Sequence, residues 1–352
     1  MAFELYGRHW MIEQLSGPGT STSSPTLTHP STMQAAVIRR TGEPSELTVA
    51  TVPSPVRVNA EVLVKVAAAG VNPIDAKTRA GSGVSAAIDG FPCILGYDFA
   101  GVVVETPFEG HALNVGDEVY GMMSVPRGAG SYAELVSVPS LQVTRKPRSL
   151  SLIEAAGVPL AALTAWGMVV ELAKAHEGQR MLIHAAAGGV GHFAVQFASY
   201  FGARVTATGS GRNQGWLREL GAAEVIDYSA VDFAEQVSEQ DVVIDLVGNV
   251  HASTGTRSLA TLRPGGLIVN APTGSWPGFV EEAAAAGMRA TTFKVAPDAA
   301  TLAVVTRLID SGDVRVHIDE VFPLADAAEA HRAIERGHTR GKLVLQVGHL
   351  PF

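Results

Sequence analysis

The residues best suited to chemistry form one short turn, His184-Ala-Ala-Ala-Gly-Gly-Val-Gly191, between the apolar run Met181–His184 and the segment GHFAVQFASYFG. A strand, a glycine turn and a helix in that order make the context of a dinucleotide fingerprint. The spacing departs from GxGxxG: Ala185, Gly188 and Gly191 give a small-residue variant, with Gly189 added. The physical task is the same. Backbone N–H groups of Ala187, Gly188, Gly189, Val190 and Gly191 could meet a pyrophosphate at a helix start, where the peptide dipoles are positive.

The residues about 20 positions further on bear on the choice of nucleotide, because an acid at the end of the second strand binds a ribose diol. No acid occurs from Gly191 to Arg218. The region Ala207–Gln214 offers Ser210 and Arg212 instead, and a guanidinium suits a 2′-phosphate through charge-assisted hydrogen bonds. Arg212 also reads as an ordinary solvated charge. Tyr228, ending EVIDY, reads as a cover for adenine, a partner of the same phosphate, or a tyrosine at the core edge. The expected cofactor is NADPH.

Such a turn needs a sheet behind it. From 151 to 296 apolar strand patterns alternate with helical ones: RMLIHAAA, ARVTATGS, EVIDY, DVVIDLVG and GGLIVNAP. That alternation predicts βαβ units and a doubly wound parallel sheet. SLSLIEAAGVPLAALTAWGMVVELA (149–173) predicts one helical stretch, with Ser151 as N-cap and Glu154 three residues on. From 33 to 150 the runs are short, branched and broken by Gly and Pro, so a separate β-rich domain is expected there. After 297 come a helix near 300–311, VRVHIDEVFPL, another helix and GKLVLQV, taken as a return to the first domain. The fold class is α/β, with a β-rich domain at 33–150 plus 297–352 and a nucleotide domain at 151–296. Residues 1–32 read as a disordered leader, because 16–32 are small, polar or proline and bury little apolar surface.

Composition excludes several partners. The chain has 352 residues, Lys+Arg 26 against Asp+Glu 34 and a net charge of −8. No basic block accompanies it, so no nucleic-acid footprint is expected. No run reaches the ~18 apolar residues of a membrane span. One cysteine, Cys93, precludes an intrachain disulfide and suits a reducing compartment, here the cytoplasm.

Several segments carry a family resemblance: AAGVNPIDAKTRAG (68–81), FPCILGYDFAGVVVE (91–105), LTAWGMV (163–169), HAAAGGVG (184–191), LGAAEVIDY (220–228), VIDLVG (243–248) and GKLVLQV (341–347). Across 33–347 the chain resembles the medium-chain dehydrogenase/reductase superfamily, and the zinc-free quinone oxidoreductases within it. The resemblance implies a GroES-like catalytic domain and a Rossmann domain. In the zinc alcohol dehydrogenases a Cys, a His and a third Cys or acid hold the catalytic zinc. Those positions fall here at Asn72, Tyr97 and near Leu160, which are poor zinc donors. No metal is expected.

The resemblance further implies a nicotinamide cleft between the domains. Asn72 would be a hydrogen-bond donor beside substrate or nicotinamide, and Thr164 would contact the nicotinamide end. Leu246, Val247, Gly248, Asn270 and Ala271 would line the ribose and carboxamide. Tyr97 faces the cleft or packs beneath it. Asp75 and Lys77 are candidate polar residues of the cleft, and a helix cap and a solvated lysine explain them nearly as well. Arg79, Arg127 and Trp276, on candidate substrate loops, read as surface residues. The implied activity is metal-free hydride transfer to a quinone or α,β-unsaturated carbonyl. An enoyl reductase in a biosynthetic pathway and a non-catalytic NADPH-binding module are the alternatives. A homodimer is implied too, with GGLIVNAP (265–272) as its expected edge strand.

Overall fold

The computed structural model describes residues 29–126 and 130–348. Most of the expected leader, and Arg127, lie outside the described residues. β1 (Thr32–Ile38) runs antiparallel to β2 (Thr48–Pro53), with Thr32 opposite Pro53. Next comes β3 (Glu61–Val71), which is buried along nearly its whole length and therefore reads as a continuous apolar run. Helix α1 (Pro73–Arg79) follows directly. The remaining strands of this half are β4 (Cys93–Ile94), β5 (Asp98–Glu105), β6 (Glu118–Met122), β7 (Leu135–Pro139) and β8 (Val143–Arg145).

The helical stretch expected over 149–173 is interrupted. Ser151 caps α2 (Leu152–Ala156) in a capping box with Glu154, as its spacing predicts. Gly157 and Pro159 then end one helix and begin α3 (Pro159–Trp166), which continues through a π-helical turn at Gly167–Leu172. Gly167 lies against the Phe293 ring, with no room for a Cβ.

The alternating region forms β9 (Arg180–Ile183), α4 (Gly189–Tyr200), β10 (Arg204–Gly209), α5 (Gln214–Glu219), β11 (Glu224–Asp227), α6 (Phe233–Gln236), β12 (Gln240–Asp245), α7 (Thr254–Leu259), β13 (Leu262–Asn270), α8 (Phe279–Ala285) and β14 (Arg289–Thr292). The six strands are all parallel, in the order β11-β10-β9-β12-β13-β14. Successive strands are laid down on one side of β9 (β10, β11) and then on the other (β12, β13, β14), so the carboxyl ends of β9, β10 and β12 flank the switch point where such sheets bind ligands. The expected edge at 265–272 is corrected. β13 is internal, and the edge is β14, a four-residue strand whose Arg-Ala-Thr-Thr sequence carries no apolar run.

The chain returns through α9 (Ala299–Asp310), β15 (Ile318–Pro323), α10 (Ala327–Glu335) and β16 (Lys342–Gln346). β16 pairs antiparallel with β3, Leu343 opposite Val71. The β-rich sheet has the order β15-β16-β3-β5-β6-β8, with β7 also on β3. One core cluster spans both halves, from Tyr97 and Tyr120 to Ile183, Ile244 and Leu302. The Tyr120 hydroxyl donates to Leu302 O at 2.9 Å, tying β6 to α9.

Candidate active site

The glycine turn opens on a cleft of about 430 Å³ lined by Ala185, Ala187, Gly188, Thr208, Gly209, Ser210, Arg212, Asn213, Tyr228, Gly337, His338 and Thr339. Gly191 serves close packing: a Cβ there would run into Ala185 O and lie 2.7 Å from Ala186 Cα. At Gly188 the nearest atom to a Cβ would be Ala185 O at 3.3 Å, so its face is otherwise open. The donor set fits a dinucleotide: a bare turn at the start of a twelve-residue helix, with a hydroxyl and a guanidinium on the rim. Arg212 donates to His338 O at 2.8 Å, drawing the 337–339 loop onto the rim. That loop was not anticipated, because it arrives from the far end of the chain. Asp227 accepts from Ser229 N at 3.0 Å and Ser229 Oγ at 2.5 Å, and its carboxylate also meets the Gly211 backbone between Ser210 and Arg212.

The strand-end residues Leu246, Val247, Gly248, Asn270 and Ala271 are organised by Asp245, which is fully buried. Its Oδ1 accepts from Val247 N (2.9 Å) and Gly248 N (2.8 Å), and its Oδ2 from Asn270 Nδ2 (2.8 Å). Gly248 is left-handed, and a Cβ would strike Ser275 Oγ. The sequence did carry a signal for Asp245, an acid closing the apolar strand DVVID.

Asn72, the N-cap of α1 in the β-rich half, is only 1% exposed. Its Nδ2 donates to Asp98 Oδ2 at 2.9 Å, and its Oδ1 accepts from Lys342 Nζ. Lys342 Nζ also donates to Val71 O at 3.1 Å and stands 3.5 Å from Asp98 Oδ2. Asp98 Oδ1 accepts from Leu160 N at 2.7 Å. A buried ion pair results, with four further hydrogen bonds: the carboxylate accepts from Asn72 Nδ2 and Leu160 N, and the ammonium donates to Asn72 Oδ1 and Val71 O. Burial raises the Asp98 carboxyl, while Lys342 and Asn72 oppose that rise. Lys342 is lowered by burial and supported by Asp98 and Asp75.

The positions implied for zinc do not fit that ion. The Asn72 oxygen is committed to Lys342, and Leu160 offers no side-chain donor. Tyr97 is 1% exposed, its hydroxyl donates to Pro126 O at 3.0 Å, and burial pushes its phenol up. Among the described residues no three His, Cys, Asp or Glu are placed to share a metal. Thr164 is buried and spends its proton on Leu160 O at 2.7 Å, leaving its oxygen as an acceptor.

A second polar chain leads away from Asn72. Asp75 Oδ2 accepts from Asn72 N (2.8 Å) and Tyr132 OH (3.0 Å). Tyr132 faces His331 Nε2 at 3.3 Å, and Arg79 Nε donates to His331 Nδ1 at 3.4 Å. His331 is therefore the Nε2–H tautomer, neutral, with its pKa lowered to about 3 by burial and by Arg79. Arg79 closes on Glu335. The reading of Arg79 and Trp276 as surface residues is thus corrected: they are 1% and 5% exposed. Sequence composition around them gave no sign of the partners, Glu335 for Arg79 and Glu282 for Trp276, the latter lying 2.7 Å from the indole N–H. Lys77 is exposed.

With this geometry in hand, comparison with known proteins becomes informative. An alcohol dehydrogenase GroES-like domain matches residues 58–148, and a zinc-binding dehydrogenase domain matches 220–345. The chain is 33% identical to the mitochondrial NAD(P)H oxidoreductase RTN4IP1 of Danio rerio, over 82% of this chain and 84% of that protein. The chain belongs to the quinone oxidoreductase-like branch of the medium-chain dehydrogenase/reductase superfamily. It is also 33% identical to the chloroplastic NADPH-dependent alkenal/one oxidoreductase of Arabidopsis thaliana, over 81% of this chain and 72% of that one. A solved quinone oxidoreductase of Coxiella burnetii superposes with a TM-score of 0.85 at 37% identity, covering 90% of this chain and all of its own. The dehydrogenase/reductase architecture, GroES-like and Rossmann halves together, is that of this chain. No helix among the described residues is long and apolar enough to cross a membrane.

Proposed function

We propose that this quinone oxidoreductase-like protein reduces a quinone or an α,β-unsaturated carbonyl with NADPH and without a catalytic metal. The observation that carries the reading is the cleft at the glycine turn, whose lining includes Ser210, Arg212 and Tyr228 and no acid, the nearby Asp227 being held by Ser229 and the Gly211 backbone. NADPH held there would supply the hydride, a proton from solvent would complete the hydroquinone or saturated carbonyl, and NADP+ would be the oxidised product. Metal-free chemistry suits these acceptors, because the charge that develops on a carbonyl oxygen can be stabilised by oriented hydrogen bonds. The protein's own part is to hold the cofactor, shape an apolar cleft and exclude water. Leu246, Val247, Gly248, Asn270 and Ala271 would serve the nicotinamide half, held by Asp245. Thr164 would accept there, and Asn72 and Tyr97 would act as the floor of the cleft.

Within this reading the protein is a cytoplasmic homodimer, with the exposed β14 edge as the surface where a second copy would extend the sheet. A light-scattering mass of one chain would contradict that assembly. Cofactor preference is read by equilibrium titration with NADPH and NADH. Arg212→Ala should weaken NADPH about tenfold to a hundredfold, as loss of a hydrogen bond to a charged group implies, and leave NADH little changed. Equal weakening of both would count against a 2′-phosphate site at Ser210 and Arg212.

A further inference from the structure

The ammonium of Lys342 has no part in the function as read so far, yet its side chain joins the two regions that function needs. Its stem lies over the start of α4: a Cβ on Gly189 would stand 2.9 Å from Lys342 Cδ. The neighbouring Gly341 N donates to Ala187 O at 2.9 Å, so the backbone leading into β16 is fastened to the glycine turn. The head of the same side chain lies in the β-rich half, bonded to Val71 O, Asn72 Oδ1 and the Asp98 carboxylate. One 3%-exposed lysine thus spans from the phosphate-binding turn to the floor of the cleft.

Resting on the NADPH reading above, we infer that Lys342 is a positioning residue for hydride transfer, fixing the Asn72 amide and holding the glycine turn and the cleft floor in one register. The amide can take two orientations. Lys342 selects the one with Oδ1 toward the ammonium and Nδ2 toward Asp98, because the reverse would face the ammonium with an N–H donor and the carboxylate with an oxygen. Without the cation that selection is lost. The stem acts separately, because a methionine of similar length would still pack on Gly189 while carrying no charge. A hydride-transfer geometry is sensitive to small misplacement, so the loss falls on the chemical step more than on cofactor affinity.

The titratable groups around Lys342 are Asp98 on β5, Asp75 on α1, His192 on α4 and His317 ahead of β15. His192 is neutral, its pKa lowered to about 4 by burial, and His317 is lowered also. Neither supplies a competing cation at neutral pH.

The test uses the full chain carrying Lys342→Met, the pair Lys342→Met with Asp98→Asn, and Lys342→Arg. Thermal stability, NADPH affinity and kcat with a benzoquinone at saturating NADPH are measured for each. The pair removes both charges, so a purely structural ion pair would be repaired in it. The inference expects stability and NADPH affinity near wild type in the pair, with kcat still down about tenfold or more. It further expects Lys342→Arg to recover most of kcat and to move the alkaline fall of the kcat profile to higher pH. A kcat within about twofold of wild type in the pair would overturn it. Should the methionine variants fail to fold, the pH profile decides: an alkaline limb identical in wild type and Lys342→Arg overturns it equally. Absence of wild-type turnover with NADPH is a different failure, that of the function itself.

Discussion

Two regions of the site are built in opposite ways. The glycine turn is local: His184 to Gly191 lie in one strand–turn–helix unit that borders the cleft through Ala185, Ala187 and Gly188, with backbone N–H groups as its candidate donors. The Asn72–Asp98–Lys342 cluster is non-local and dry, assembled from β5, the start of α1 and β16, with every member 3% exposed or less. The first region needs small residues and tolerates little bulk. The second needs charges that match, because a buried charge without its partner is costly. Binding and positioning are thereby assigned to different residues, joined where the Lys342 stem lies on Gly189.

The largest effect should come from the dry region. Asp98→Ala leaves Lys342, Asn72 Nδ2 and Leu160 N without their acceptor and should lower unfolding stability by about 3–5 kcal/mol in denaturant titration. In the glycine turn, Gly191→Ala forces a methyl into the Ala185–Ala186 backbone and should cost about 1–3 kcal/mol, with NADPH binding lost in proportion. Retained affinity in that variant would mean that the turn relaxes more than its packing suggests.

Asp75 sharpens the comparison through pH. Burial, helped by the charge of Asp98, raises its carboxyl to about 7 against bonds from Asn72 N and Tyr132 that pull it down. The folded state holds this proton more tightly than the unfolded chain, whose carboxyl titrates near 3.8. The contribution is therefore whole below about 4 and is lost as pH rises through about 7. Measured against Asp75→Asn, which does not titrate, the wild type should lose relative stability across that window. A constant gap between the two melting temperatures would contradict the raised pKa. The smallest effect belongs to Tyr97→Phe, which removes one bond to Pro126 O. It should cost about 0.5–1.5 kcal/mol and leave kcat nearly unchanged if the hydroxyl has no role beyond that bond.

The same contrast explains what the sequence made legible. The glycine turn, the alternating strands and the Ser151–Glu154 cap could be read because each is a signal within a dozen residues. The 337–339 loop on the cofactor rim could not, since periodicity finds strands and not which strands meet. β14 escaped because four residues of Arg, Ala and Thr look like a loop. The ion pair did leave a trace. Asp98 and Lys342 each open a strand and are followed directly by apolar residues, FAGVVV and LVL, and two opposite charges so placed imply one another once burial is granted. Arg79 left no such trace, because its acid Glu335 closes another helix far along the chain.

The most direct measurement is loss of the reduced-nicotinamide absorbance with a benzoquinone and with a short enone, comparing NADPH with NADH in the presence and absence of a strong metal chelator. Turnover that prefers NADPH and ignores the chelator is the predicted result. Turnover abolished by the chelator would contradict the reading of Asn72, Tyr97 and Leu160, and no turnover despite tight NADPH binding would contradict the reductase itself.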